Sequence, residues 1–82
     1  MNTLAEYRPR YYDASLVYTV EHRTTGANIH RVRNLIAVYM NACETADRLA
    51  LASDLAPNPK ISRDLRKYES LITKTAEELT AL

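Results

Sequence analysis

The chain has 82 residues, 46% of them apolar and 26% charged, a composition typical of one small folded domain (residues 1–82) and not of a disordered chain. Eleven Lys and Arg against ten Asp and Glu leave a net charge of +1, which neither favours nor excludes nucleic acid as a partner. A single Cys excludes an intramolecular disulfide, and no apolar run approaches the ~20 residues that cross a bilayer. The first residues, MNTLAEYRPRYYD, lack the apolar core of a secretory signal. We therefore expect a soluble cytoplasmic protein.

Glycine and proline, the residues that most often interrupt regular structure, are scarce in this chain. Gly26 is the only glycine, and the prolines stand at positions 9, 57 and 59. β-sheets need tight turns, which depend on Gly, Asn-Gly or Asp-Gly pairs, so this scarcity predicts an all-α fold. The interruptions near residues 24–28 and 56–59 divide the chain into three segments.

The N-terminal segment is interpreted as an arm over residues 1–12 and a short helix over residues 13–24. Asp13 is in position to cap that helix, and Gly26 stands just after its end, where glycine commonly terminates helices. The run from Leu16 to Val20 also fits a β-strand, because it contains two Val, a Tyr and a Thr. Helix is favoured, since no other segment offers this run a convincing strand partner.

The other two segments, residues 29–55 and 59–82, have apolar residues at steps of three and four, which predicts two long amphipathic helices. Asn28 is expected to cap the first helix. Asn58 is expected to cap the second, with Pro59 at the first helical position, where a missing amide hydrogen is no loss. The connection is short, so the helices should form an antiparallel hairpin. Its open apolar surface should be covered by the N-terminal helix or by a second copy of the chain.

The last helix carries its apolar residues in a 4-3 repeat, as helices that associate with one another do. The members of this seam are Ile61, Leu65, Tyr68, Ile72, Thr75, Leu79 and Leu82. Only Thr75 is weakly apolar, so the pattern makes self-association of the chain a reasonable expectation.

Residues with catalytic or metal-binding chemistry are few and far apart. Cys43 lies on the inward stripe of its helix, and free Cys is commonly a buried structural residue. His22 and His30 lie more than three helical turns from Cys43, so neither is expected to activate its thiol. There is no HExxH or CxxC pattern, and one glycine cannot build a phosphate-cradling loop. We therefore expect no catalytic residues, no metal, no cofactor and no small-molecule substrate.

Positive charge is concentrated in the first part of the chain, where residues 1–35 carry five Arg and both His against three acidic residues. Arg is interleaved with Tyr in YRPRYY, a pattern suited to nucleic-acid contacts. The candidate nucleic-acid-binding residues are Arg8, Arg10, Arg23, His30, Arg31 and Arg33. The alternative is ordinary surface charge, since the local excess is only +2.

A second basic cluster occurs on the last helix. Its members are Lys60, Arg63, Arg66, Lys67 and Lys74. Asp64 and Glu69 dilute the positive charge of this segment. We interpret the cluster as a solvated helix face, which is the usual meaning of mixed charges on a helix.

A larger pattern extends from Leu35 to the end of the chain. In its first helix the characteristic residues are Leu35, Tyr39, Cys43, Ala46, Asp47, Arg48 and Leu49. They are followed by Asn58-Pro59, by Leu65, Arg66 and Leu71, and by the closing EELTAL. This arrangement resembles the helical end of phage terminase small subunits, in which a proline-containing turn joins such a helix to a second, basic helix that ends in leucines.

The resemblance implies a non-catalytic homo-oligomer that recognises viral duplex DNA for packaging and delivers it to a large packaging subunit, in the cytoplasm of a host cell. The Arg-rich first third would contact phosphates, and ring assembly would multiply weak contacts. The resemblance also implies an oligomer interface in the C-terminal helix pair. Its residues would be Ile61, Leu65, Tyr68, Ile72, Leu79 and Leu82.

Two other classes of function remain open at this point. A small helical protein with an exposed apolar stripe is suited to be a protein–protein interaction module, or a phage-encoded inhibitor that docks on a host protein. Such an inhibitor should be a monomer or dimer that ignores DNA, whereas a terminase-like protein should be a large homo-oligomer with salt-sensitive DNA binding. A structural helical dimer without a separate ligand is the third reading.

Overall fold

In the computed structural model, which describes residues 10–24 and 26–82, the chain folds into three α-helices. Helix α1 comprises Ala14–Arg23, α2 comprises Ile29–Leu55 and α3 comprises Pro59–Ala81. The described residues contain no strand, so the all-α prediction is confirmed and Leu16 to Val20 are helical. The first nine residues of the predicted arm lie outside the described part of the chain. None of the described helices is long and apolar enough to span a membrane.

Side-chain caps begin α1 and α3 as the sequence predicts. The Asp13 carboxylate accepts hydrogen bonds from the backbone N–H groups of Ser15 and Leu16 at 3.0 and 3.2 Å. Asn58 accepts one from the N–H of Lys60 at 2.8 Å, and the proline that follows Asn58 occupies the first turn of α3. Each cap satisfies amide hydrogens that have no partner inside the helix, which fixes where these helices start.

The start of α2 differs from the prediction. A 3₁₀ turn, Gly26–Asn28, precedes the helix, and the Asn28 side chain makes no capping bond. Asn28 has helical backbone angles (φ −86°, ψ −4°), whereas a capping residue needs an extended backbone. Gly26 has φ +66°, a conformation open to glycine and strained for other residues, so the glycine lets the chain turn from α1 into α2.

The apolar faces of the three helices meet in one core, with α1 packed against the hairpin that α2 and α3 form. The buried members of this core are Val17, Val20, Val32, Ile36, Tyr39, Ala42, Cys43, Ala46, Ile72 and Leu79. Most of them belong to α2, which therefore lies at the centre of the fold. Because α1 is short, parts of α2 stay at the surface, and Val38 on α2 is 44% exposed.

Two residues that were expected at an oligomer interface lie inside this core. Leu79 is 0% exposed and Ile72 is 8% exposed. The half-buried or exposed members of the predicted interface are Ile61, Leu65, Tyr68 and Leu82. The seam of α3 is thus used mainly for packing within one chain. This corrects the assignment of Ile72 and Leu79, because a side chain enclosed by its own chain has no surface left for a second copy.

Residues 10–13, which we call the strap, tie the start of α1 to both helices of the hairpin. The Tyr11 hydroxyl donates a 2.7 Å hydrogen bond to Glu69 on α3. The backbone N–H of Asp13 donates to the Tyr39 hydroxyl on α2 at 2.9 Å. Burial, and then the bond to Glu69, raise the pKa of Tyr11 to about 12, so this hydroxyl keeps its proton at neutral pH.

Candidate nucleic-acid interface

Arg10, one of the predicted nucleic-acid-binding residues, contacts two carboxylates of α2 at the protein surface. Its guanidinium forms a 2.6 Å ion pair with Asp54, and its backbone N–H donates to Asp47 at 3.0 Å. The hydrogen bond and charge of Asp54 raise the pKa of Arg10. Arg10 therefore holds the strap on α2, and because its side chain is 48% exposed its contact with phosphates stays a prediction. Arg8 lies outside the described residues.

The other predicted residues lie at the opposite end of the molecule. The Arg23 guanidinium reaches the carbonyl oxygen of Thr80 at 3.4 Å, near the end of α3. His30, Arg31 and Arg33 are exposed in the first turns of α2. Sixteen positions of α2 separate Arg31 from Asp47, the contact of Arg10, and this corresponds to about 24 Å of helix. The structure thus splits the predicted Arg set between two ends and does not form one surface from it.

A more compact group of cations lies on α3. Its members are Lys60, Arg63, Arg66, Lys67 and Lys74, which we call the cationic face. At about 100° per residue they project within a sector of about 120° on the side of α3 opposite the core residues Leu65 and Leu79. All five are exposed, and none has a side-chain hydrogen bond or ion pair with another described residue. Their charges are therefore free to meet an external anion.

The nearby carboxylates are largely occupied by contacts within the chain. Asp54 is paired with Arg10, and Glu69 accepts the hydrogen bond of the Tyr11 hydroxyl. Glu44 lies 3.5 Å from Arg48 on the exposed side of α2. Among the carboxylates of α3 itself, Glu69 makes such a contact, whereas Asp64, Glu77 and Glu78 make none with a described residue, so the positive charge of α3 is concentrated before Glu77.

The start of α3 adds a second source of positive potential. Its first turn contains no acidic residue, although acidic residues are favoured at the positive end of the helix dipole. Lys60 and Arg63 stand there instead and add their charge to that of the dipole. This arrangement slightly destabilises the helix and makes its N-terminal half a favourable location for anions such as phosphate.

Cys43 lies in the core of the described part of the chain. Cys43 is 1% exposed, and burial raises the pKa of its thiol, which keeps it protonated and unreactive. The described residues contain no group of three or more His, Cys, Asp or Glu that could hold a metal ion. The interior around Cys43 therefore serves packing.

The outer side of α2 presents apolar side chains to solvent. Leu51 is 55% exposed and Leu55 is 78% exposed, both near the hairpin turn. Val38 lies further back on the helix and about 100–140° round it from these leucines, with half-buried Leu35 and Leu49 beside it. These residues are the part of the predicted apolar docking surface that remains open after the helices have packed.

The sequence shows the cationic residues of α3, and sequence reasoning interpreted them as a solvated helix face. Asp64, which seemed to dilute them, is half-buried at the flank, and Glu69 is bonded to the strap. A helical wheel of α3 could have separated these two acids from the cations, because it shows which residues lie opposite the core stripe.

Comparison of the chain with protein-family models, with curated proteins and with solved structures found no match in any of the three.

Proposed function

We propose that this protein is a non-catalytic nucleic-acid-binding protein that contacts phosphates through the cationic face of α3. The observation that supports the proposal is the set of five exposed cations on one side of one helix, none of them paired with a described carboxylate. A rigid helix holds these charges at fixed spacing, and binding releases counterions from the nucleic acid. Affinity should therefore depend strongly on salt.

Self-association would strengthen such binding. One copy offers few phosphate contacts, but several linked copies engage one nucleic acid with a much higher effective concentration. We propose a homo-oligomer whose contacts use apolar residues on the surface of α2, such as exposed Val38 and half-buried Leu35, because much of the α3 seam is enclosed within one chain. The resemblance to terminase small subunits makes the proposal more specific. The ligand would be viral duplex DNA, which the protein would recognise for packaging in a host cytoplasm. A large packaging subunit would be its partner.

A matched pair of variants tests the role of α3. Lys67→Gln removes one charge from the cationic face, and Arg48→Gln removes one charge from the outer side of α2. Fluorescence anisotropy with a labelled DNA duplex should show weaker binding for Lys67→Gln, and a salt slope reduced by about 1, the value for one lost phosphate contact. Arg48→Gln should bind like the unaltered chain. Equal effects of the two variants would show that total charge, and not the cationic face, determines binding.

The second candidate function is a protein–protein interaction module, such as a phage-encoded inhibitor of a host protein. The 78% exposure of Leu55 and the 55% exposure of Leu51 favour it, because neighbouring exposed leucines commonly mark docking surfaces. Light scattering after size exclusion separates the two functions. A monomer or dimer that leaves added duplex DNA unbound at low salt would support the interaction module.

A further inference from the structure

We propose that the segment of α3 from Lys60 to Lys74 inserts into the major groove of B-form duplex DNA. This inference rests on the proposed function and specifies its ligand and its mode of binding. An α-helix with its side chains is about 10–12 Å across, and the major groove of B-form DNA is about 12 Å wide. From Lys60 to Lys74 the cationic face extends over about 21 Å of helix, enough to follow the groove past several base pairs.

The cations of α3 are distributed as a groove-binding helix requires. Lys60, Lys67 and Lys74 recur every seven residues and form one edge of the face, while Arg66 lies on the other edge. Arg63 and Ser70 lie between these edges, on the line that points directly away from the core. The edges can therefore meet the phosphates of the two strands while the central line meets the bases.

Arg63 supplies the chemistry for base recognition. Its guanidinium can donate two hydrogen bonds to O6 and N7 of guanine, the commonest specific contact in the major groove. Its position one turn into α3 also matches the use of N-terminal helix residues for base contacts. Ser70 follows on the same line with a hydroxyl that can donate or accept.

The same face disfavours other nucleic acids. It contains no aromatic side chain on which single-stranded bases could stack, since Tyr68 packs against the core. RNA duplexes have a deep, narrow major groove that does not admit a helix. Glu77 continues the central line after Ser70 and would be repelled by phosphates, so the part of α3 before Glu77 is the part that enters.

The test compares three nucleic acids for binding to the full chain: duplex DNA, duplex RNA of equal length, and single-stranded DNA with the same number of phosphates. Anisotropy competition should show duplex DNA binding about tenfold more tightly than duplex RNA or single-stranded DNA, the order of discrimination that one bidentate base contact provides. Replacing guanine by 7-deazaguanine, which removes N7 and keeps the charge, should weaken binding. Arg63→Ala should abolish the difference in affinity between the guanine duplex and the 7-deazaguanine duplex. Lys74→Ala should weaken binding to these two DNA duplexes equally. Circular dichroism of each variant confirms that the helices are intact.

The possible failures are distinct. Similar affinity for all three nucleic acids, with no effect of 7-deazaguanine, would overturn groove insertion and leave phosphate binding by α3 in place. Tighter binding to single-stranded DNA would overturn it as well. Absence of binding to any of them at low salt would overturn both the inference and the proposed function.

Discussion

Replacement of Leu79 by Ala distinguishes a core residue from a residue at an oligomer interface. Leu79 is 0% exposed and belongs to the core shared by the three helices. The substitution removes three carbon atoms, worth about 2.4 kcal/mol of transfer free energy at about 0.8 kcal/mol each, and the cavity adds to this loss. We expect the free energy of unfolding to fall by about 3–4 kcal/mol. This is a large part of the roughly 4–12 kcal/mol typical of a chain of this length.

The assay is urea unfolding followed by circular dichroism at a low and a high protein concentration. If Leu79 belongs to the core of a single copy, Leu79→Ala lowers stability equally at both concentrations. Leu55→Ala is the matched control, because Leu55 is 78% exposed and its loss should cost less than about 0.5 kcal/mol. A loss at Leu79 below about 1 kcal/mol, or one that depends on protein concentration, would refute the placement of this residue in the core.

Three further predictions concern the strap and the helix cap. Arg10→Ala should lower the unfolding midpoint in thermal melts and leave the DNA affinity measured by anisotropy unchanged. A loss of affinity without a loss of stability would show that Arg10 belongs to the binding surface. Stability should be fully present below pH 10, the ordinary pKa of tyrosine, and decline as the pH rises toward about 12, because folding raises the pKa values of Tyr11 and Tyr39. Tyr11→Phe should weaken this decline in a pH series of melts. Asn58→Ala should cost about 1 kcal/mol in urea unfolding, and no change would mean that the cap contributes nothing.

The sequence was sufficient to predict the helices, because their boundaries depend on local interactions. Asp13 and Asn58 cap their helices through bonds to residues only two or three positions away. The apolar periodicity of α2 and α3 predicted which faces meet. Asn28 was mistaken for a cap because the preceding 3₁₀ turn depends on the positive φ of Gly26, for which the sequence has no distinct signal.

The location of the cationic surface could not be derived in the same way, because it depends on contacts between distant positions. Arg10 pairs with Asp54, 44 positions away, and Tyr11 reaches Glu69, 58 positions away. The first pair neutralises one cation and one carboxylate, and in the second a neutral hydroxyl holds the Glu69 carboxylate by a hydrogen bond. The charge count along the chain favoured the N-terminal third as the nucleic-acid-binding region. The fold, in contrast, leaves the cations of α3 without partners among the described residues.

The salt dependence of binding to duplex DNA tests the central claim most directly. If the four edge cations of α3 meet phosphates while Arg63 meets a base, the logarithm of the binding constant should fall with the logarithm of salt concentration at a slope of about −3.6. Fluorescence anisotropy across a salt series measures this slope. A steep slope near that value would support phosphate binding by the cationic face. No binding at low salt, or an affinity that salt leaves unchanged, would contradict it.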